Sequence, residues 1–151
     1  MKPNTLIALS LIAITLGGCA ATAPEGPSAA AAPLAADSAR VYVYRELNPY
    51  DSPTWTAVSL NREKVGDSAP GQVFYRDVTP GTYEIEVRSD YLYPNQFKTV
   101  TLAPGSTVYA KIQEARSWGQ SLGGGGTTFV VTIIDPATGR REIGTLRPVA
   151  G

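Results

Sequence analysis

Histidine is absent from this 151-residue chain, and cysteine occurs once. Without His there is no imidazole to activate a Ser or Cys nucleophile, and no His/Cys ligand set of the usual zinc kind. A single Cys excludes an intrachain disulfide, so the fold must stand on its apolar core. An excess of one charge sign is missing too. The 13 Lys and Arg balance the 13 Asp and Glu, which gives neither the basic footprint of a nucleic-acid binder nor a polybasic membrane patch. The N-terminal apolar run, Leu6 to Leu16, falls short of the roughly 20 residues a spanning helix needs.

What is present begins with that run. Lys2 gives a positive start, the apolar segment has the length of a signal-peptide core, and small residues follow. Leu16-Gly17-Gly18-Cys19 resembles the bacterial lipoprotein lipobox. Gly18 is small enough for a peptidase to reach the bond before Cys19. The thiol can take a diacylglyceryl group, and cleavage frees an amine for a further acyl chain. Two or more chains hold a protein to a bilayer stably, at about 0.8 kcal/mol per buried CH₂. The competing reading, an ordinary leader that leaves Cys19 as a free thiol, leaves an odd cysteine unexplained. Ala20 rather than Asp follows the cysteine. By resemblance to Gram-negative lipoproteins, that implies the outer membrane, facing the periplasm. The expected partner at this end is the lipid bilayer, through acylated Cys19. Loss of the leader removes Lys2 and leaves a net charge of about −1.

The expected organisation is a signal peptide over 1–18, a lipidated Cys19 with a flexible tether over 19–38, and a folded domain over 39–151. Ala, Pro, Gly and Ser dominate the tether, and they offer little to bury. Pro24, Pro27 and Pro33 break any helix the alanines would favour.

The domain reads as short strands separated by turns. Residues 39–46 alternate Val41 and Val43 against Tyr42 and Tyr44. This predicts either a strand covered on both sides or a row of tyrosines along a surface groove. Residues 48–53 form a loop, 55–60 a second strand, 61–63 a turn and 64–66 a short third strand. Ala69-Pro70-Gly71 has the chemistry of a type II turn, and Thr79-Pro80-Gly81 and Ala103-Pro104-Gly105 repeat it. Strands are expected over 72–78, 82–89, 96–102 and 106–113. Tyr83, Ile85 and Val87 point inward against Glu84, Glu86 and Arg88, which gives a half-buried strand with a wet outer face. Val108, Ala110 and Ile112 likewise point inward. Residues 90–95 form an aromatic loop, and 114–128, with Gly123 to Gly126, a long mobile one. Residues 129–134 are apolar at nearly every position, which predicts a central strand. Residues 135–139 turn the chain. Residues 141–149 form a last edge strand or, in competition, a short helical turn. The expected class is an all-β antiparallel sandwich of seven to eight short strands, its weaker strands guarded by Lys, Arg, Glu and Pro.

Val41-Tyr42-Val43-Tyr44-Arg45, then Leu60-Asn61 through Lys64-Val65-Gly66, then Val78-Thr79-Pro80-Gly81-Thr82-Tyr83-Glu84-Ile85, then Leu102-Ala103-Pro104-Gly105-Ser106-Thr107-Val108-Tyr109 occur in that order. Behind a lipobox, this set resembles a family of small bacterial lipoprotein domains that carry only a domain-of-unknown-function label, related to the PEGA-type β-sandwich. The likeness covers about residues 39–135 and stops short of the Trp118 to Gly126 loop and the C-terminal tail. It implies a fold and an envelope location, and no catalytic residues.

Chemistry-bearing constellations are few. Lys64, Lys98 and Lys111 lack Ser-x-x-Lys spacing. Glu84 and Glu86 share one strand face about 7 Å apart by the strand rise, and read as a solvated face balanced by Arg88 rather than a catalytic pair. Gly123 to Gly126 lacks the Gly-Lys-Ser/Thr of a phosphate loop. No metal, cofactor or enzymatic activity is expected. The suggestive set is aromatic: Tyr50, Trp55, Tyr91, Tyr93 and Trp118 all fall in or beside loops. Such rings either cap the ends of the sandwich or stack on a glycan or a protein partner. Two functions are expected from this: a non-enzymatic binding or structural module on an envelope lipoprotein, or a module for peptidoglycan or another polysaccharide using Tyr50, Tyr91, Tyr93 and Trp118.

Overall fold

The computed structural model describes residues 31–88, 96–115 and 127–149. The elements are β1 (Ala39–Arg45), β2 (Thr56–Leu60), β3 (Glu63–Ser68), β4 (Gln72–Val78), β5 (Gly81–Val87), β6 (Phe97–Leu102), β7 (Thr107–Ala115), β8 (Thr128–Ile134), α1 (Pro136–Ile143) and β9 (Arg147–Pro148). Two sheets form, β8-β7-β1-β4-β9 and β3-β2-β5-β6. The all-β sandwich is as the alternation predicts. Its pairing is not purely antiparallel, because β1 runs parallel to β7 and β4 parallel to β9.

The core lies between the sheets. β1 contributes Val41 and Val43, β2 Val58 and Leu60, β5 Ile85 and Val87, β7 Ala110 and Ile112, and β8 Phe129 and Val131. These are the inward residues of each alternation, so period-two patterning translates directly into the buried interface. Residues 31–38 arrive without helix or strand and are tied to the domain where the Gly105 N–H donates to the Ser38 carbonyl at 2.7 Å.

The outer face of the five-stranded sheet carries a second cluster of Tyr44, Val73, Tyr109, Ile143 and Leu146. Tyr42 stacks on Tyr109 with ring centroids 5.3 Å apart. Of the two readings of β1, the strand covered on both sides is the one found: Tyr44 is buried beneath the chain that contains α1, and Tyr42 is half-buried.

Three expectations are corrected. Residues 129–134 form an edge strand, since among the described residues β8 pairs only with β7. Its apolar run arises because one side faces the core and Ile134 on the other packs against the outer cluster. Residues 135–139 do not simply turn the chain but start a helix. The Asp135 carboxylate accepts from the Ala137 and Thr138 N–H groups at 3.1 and 3.0 Å, and Pro136 follows at the first helical position. The tail then holds both elements weighed for it, the end of this helix and a two-residue edge strand. Finally, Gly71 and Gly105 take positive φ (73° and 72°) as their turns demand, while Gly81 does not and opens β5 instead. The β2–β3 hairpin closes through Asn61 and Arg62, both at positive φ, in the manner of a primed two-residue turn.

Candidate functional site

β1 runs from the pole where residues 31–38 join to an opposite pole. There it ends at Arg45, beside the C-terminus of β7 and the N-terminus of β8. Arg45 is 1 % exposed. Its Nη1 donates to the Thr54 carbonyl at 2.8 Å and its Nη2 to the Ser52 carbonyl at 2.7 Å. Its guanidinium lies over the Phe129 ring, 4.8 Å from the centroid. Burial lowers its pKa, and the nearby Asp51 and Glu114 carboxylates oppose that shift. This cation acts as the post that shapes the loop between β1 and β2.

Two clefts flank that loop. The smaller, about 350 Å³, is walled by Arg45, Glu46, Lys111 and Glu114 among others. Its charges are spent on one another. Lys111 Nζ lies 2.6 Å from Glu46 Oε2 and 3.1 Å from Glu142 Oε2, and the Tyr44 hydroxyl donates to the same Glu142 oxygen at 2.6 Å. Burial pulls Lys111 down, but hydrogen bonds to Glu46 and Glu142 outweigh it and leave its pKa raised. Burial pushes Glu142 up, and the bonds from Tyr44 and Lys111 more than reverse that. Burial, then Glu142, raise the Tyr44 pKa well above the ordinary phenol range. The cluster is a latch that holds α1 to the sheet.

The larger cleft, about 500 Å³, is lined by Thr54, Trp55, Thr56, Lys64, Arg88 and Phe129 among others. Trp55 is 64 % exposed. It stands immediately before β2, in the loop that Arg45 holds. Lys64 Nζ lies 5.9 Å from the Trp55 ring centroid and pairs with Asp67 at 2.9 Å. Arg88 is exposed, and its backbone is fixed: its N–H donates to Ala57 at 3.0 Å and its carbonyl accepts from the Thr56 hydroxyl. Cross-strand pairing thus gathers β2, β3 and the end of β5 around one aromatic ring. Among the described residues that line this groove there are two cations and no carboxylate, with Asp67 paired to Lys64 beside it.

Of the residues singled out from sequence, Tyr50 and Trp55 are both exposed on the loop between β1 and β2. Trp55 lines the larger of these two clefts and Tyr50 lines neither. Tyr91, Tyr93, Trp118 and Cys19 lie outside the described residues. Glu84 and Glu86 are half-buried on the outward side of β5 and line neither cleft. Among the described residues no group of three or more His, Cys, Asp or Glu side chains is placed to hold a metal ion. Lys64 and Arg88 were not legible as site residues. Their convergence on Trp55 depends on the β2–β3 and β2–β5 pairings rather than on spacing in the chain.

The chain belongs to the family described as protein of unknown function, DUF2846, which matches residues 35–127. That span takes in β1 to β7 and every named wall of the larger groove except Phe129. No curated protein matches the chain.

Proposed function

We propose that this family member is a lipid-anchored envelope lipoprotein whose β-sandwich is a non-enzymatic binding module. Its anchor is acylated Cys19, and the membrane is the outer one, facing the periplasm. The kinship with PEGA-type sandwiches drawn from the motif order goes with this reading. The observation that carries it is polarity. Residues 31–38 enter at one end of β1, while Trp55 and the groove lie at the other, about 20 Å away for seven residues of strand. A domain tethered at the first pole holds the second away from the bilayer, where a partner can reach it.

A non-enzymatic role is supported by the state of the titratable groups. Asp77 and Glu142 are held below the usual carboxylate range, and Lys111 and Tyr44 above theirs. Each keeps its neutral-pH state, whereas a general acid or base works best with a pKa near the working pH.

Two measurements on the full-length chain in cells test the reading. Palmitate labelling and membrane fractionation are expected for the natural sequence and lost in Cys19→Ala. A photo-crosslinking residue at Thr54, on the groove, is expected to give adducts that the same residue at Pro80, at the tether pole, does not. A Cys19→Ala chain that still pellets with membranes overturns the anchor. Equal adducts at both poles, or none, overturn the module.

A further inference from the structure

We infer that the Trp55 groove is a binding site for an acidic glycan, with Trp55 as the stacking platform and Arg88 and Lys64 as carboxylate partners. This rests on the binding-module reading above and adds the ligand class.

The ring comes first. A Trp left 64 % exposed beside a cleft exposes a large apolar face to water, and natural surfaces keep such faces mainly where something covers them. Trp55 is not a flexible straggler. The loop before it is pinned from below by the buried Arg45 through the Ser52 and Thr54 carbonyls, and Thr56 after it is buried and bonded to Arg88. A backbone held this way loses little freedom on binding. Its π face carries negative charge density, which suits the weakly positive C–H face of a pyranose.

The rim comes second. Thr54 and Thr127 supply hydroxyls, and Arg88 and Lys64 supply the charge. Arg88 is exposed, and a guanidinium can donate to both oxygens of a carboxylate at once. Lys64 shares its ammonium with Asp67, an exposed pair that an incoming carboxylate can rearrange at little cost. A neutral sugar would use the ring and leave both cations idle. An acidic peptide would use the cations and have no call on a flat platform among hydroxyls. A sugar ring bearing a carboxylate uses all of them, and a groove of about 500 Å³ open to solvent lies in the size range of small-ligand sites.

The test uses the full-length lipidated protein in zwitterionic nanodiscs. The probes are tetragalacturonate, its methyl ester, peptide-stripped peptidoglycan strands and a glutamate tetrapeptide. Tetragalacturonate or the stripped strands are expected to bind, and the methyl ester about tenfold or more weaker than its parent acid. Raising NaCl from 50 to 500 mM should weaken acidic-glycan binding severalfold. Trp55→Ala should lose about tenfold or more, Trp55→Phe less, and Arg88→Gln should erase the preference for acid over ester. An unchanged melting temperature separates these losses from unfolding. Equal binding of ester and acid overturns the carboxylate role. Equal or tighter binding of the glutamate peptide overturns the sugar, and unaltered binding by Trp55→Ala overturns the platform. If neither acidic glycan binds while the Thr54 crosslink persists, the ligand class falls and the module reading stands.

Discussion

The two faces of the five-stranded sheet are built from one alternating strand and held by different physics. β1 sends Val41 and Val43 inward, where they meet apolar partners from both sheets. It sends Tyr42 and Tyr44 outward, where α1 and two charged pairs cover them. Inside, stability scales with apolar area removed from water, and hydrophobic side chains of similar volume can replace one another. Outside, each contact names its partner. Arg40 holds Asp77 with two bonds at 2.6 and 2.8 Å and lies 4.1 Å over the Tyr75 ring, and Glu142 joins Tyr44 to Lys111. The inner face is indifferent to pH, whereas the outer face is not.

The hardest blow to the inner face is a cavity. Ile85 is 0 % exposed, so Ile85→Ala should cost about 2–5 kcal/mol. Denaturant unfolding at pH 7 and at pH 5 should give the same loss. A strongly pH-dependent loss would break the distinction between the faces.

The outer face offers a change of sign. Gly→Ala inside a helix ordinarily stabilises by up to about 1 kcal/mol. Gly139 lies in α1, yet a Cβ there would sit 2.3 Å from Tyr109 Cγ. Gly139→Ala should therefore destabilise, by about 1–3 kcal/mol from overpacking. A gain in the unfolding midpoint would mean that α1 does not seat on Tyr109.

The same glycine shows why the helix was hidden in the sequence. Asp135-Pro136 is a sound helix start, but a glycine three residues on reads as a turn until the ring it must clear is known. β8 misleads for a related reason. Alternation reports which faces of a strand are covered and says nothing of how many neighbours it has within its sheet, so Phe129 to Ile134 reads as central while lying at an edge. The inward rows of β5 and β7 were legible from their alternation, whereas the ends of both strands and the burial of Tyr109 on the outer side of β7 were not. At the candidate site, Trp55 stood out as an aromatic beside a loop but was not among the residues expected to meet a ligand. Lys64 and Arg88 did not stand out, because their meeting depends on strand register rather than sequence distance.

A smaller change separates charge from packing on the outer face. Glu142→Gln keeps an acceptor for Tyr44 and removes the charge opposite Lys111, which Glu46 still neutralises. A loss of about 1–2 kcal/mol at pH 7 is expected. The pH dependence sharpens it. Glu142 and Asp77 have depressed pKa values in the fold, so their stabilisation is present above the unfolded values and is lost as pH falls through the folded ones. Lys111 is raised, so its share is present below its unfolded value and is lost as pH rises through the folded one. Melting temperature should be flat between these limits, and Glu142→Gln should flatten part of the acid limb. An acid limb unchanged in both Glu142→Gln and Asp77→Asn would place the titrating groups elsewhere.

The smallest effect on stability is expected where the largest effect on binding is. Trp55 belongs to neither cluster, and its ring is mostly in water. Its position is fixed by backbone held from Arg45 and Thr56 rather than by its own packing. Truncation to Ala should then shift unfolding by no more than about 0.5 kcal/mol, as for other surface sites. Arg45→Met is the complementary change. It removes the post beneath the loop, so it should both destabilise and loosen Trp55, read as a red shift and lower anisotropy of Trp emission, with Trp118→Phe as the background. If Trp55→Ala proved as damaging as a core cavity, the ring would be a cap on the sandwich and the groove an accident of its fit. A ring that the fold positions but does not need is what a ligand platform requires.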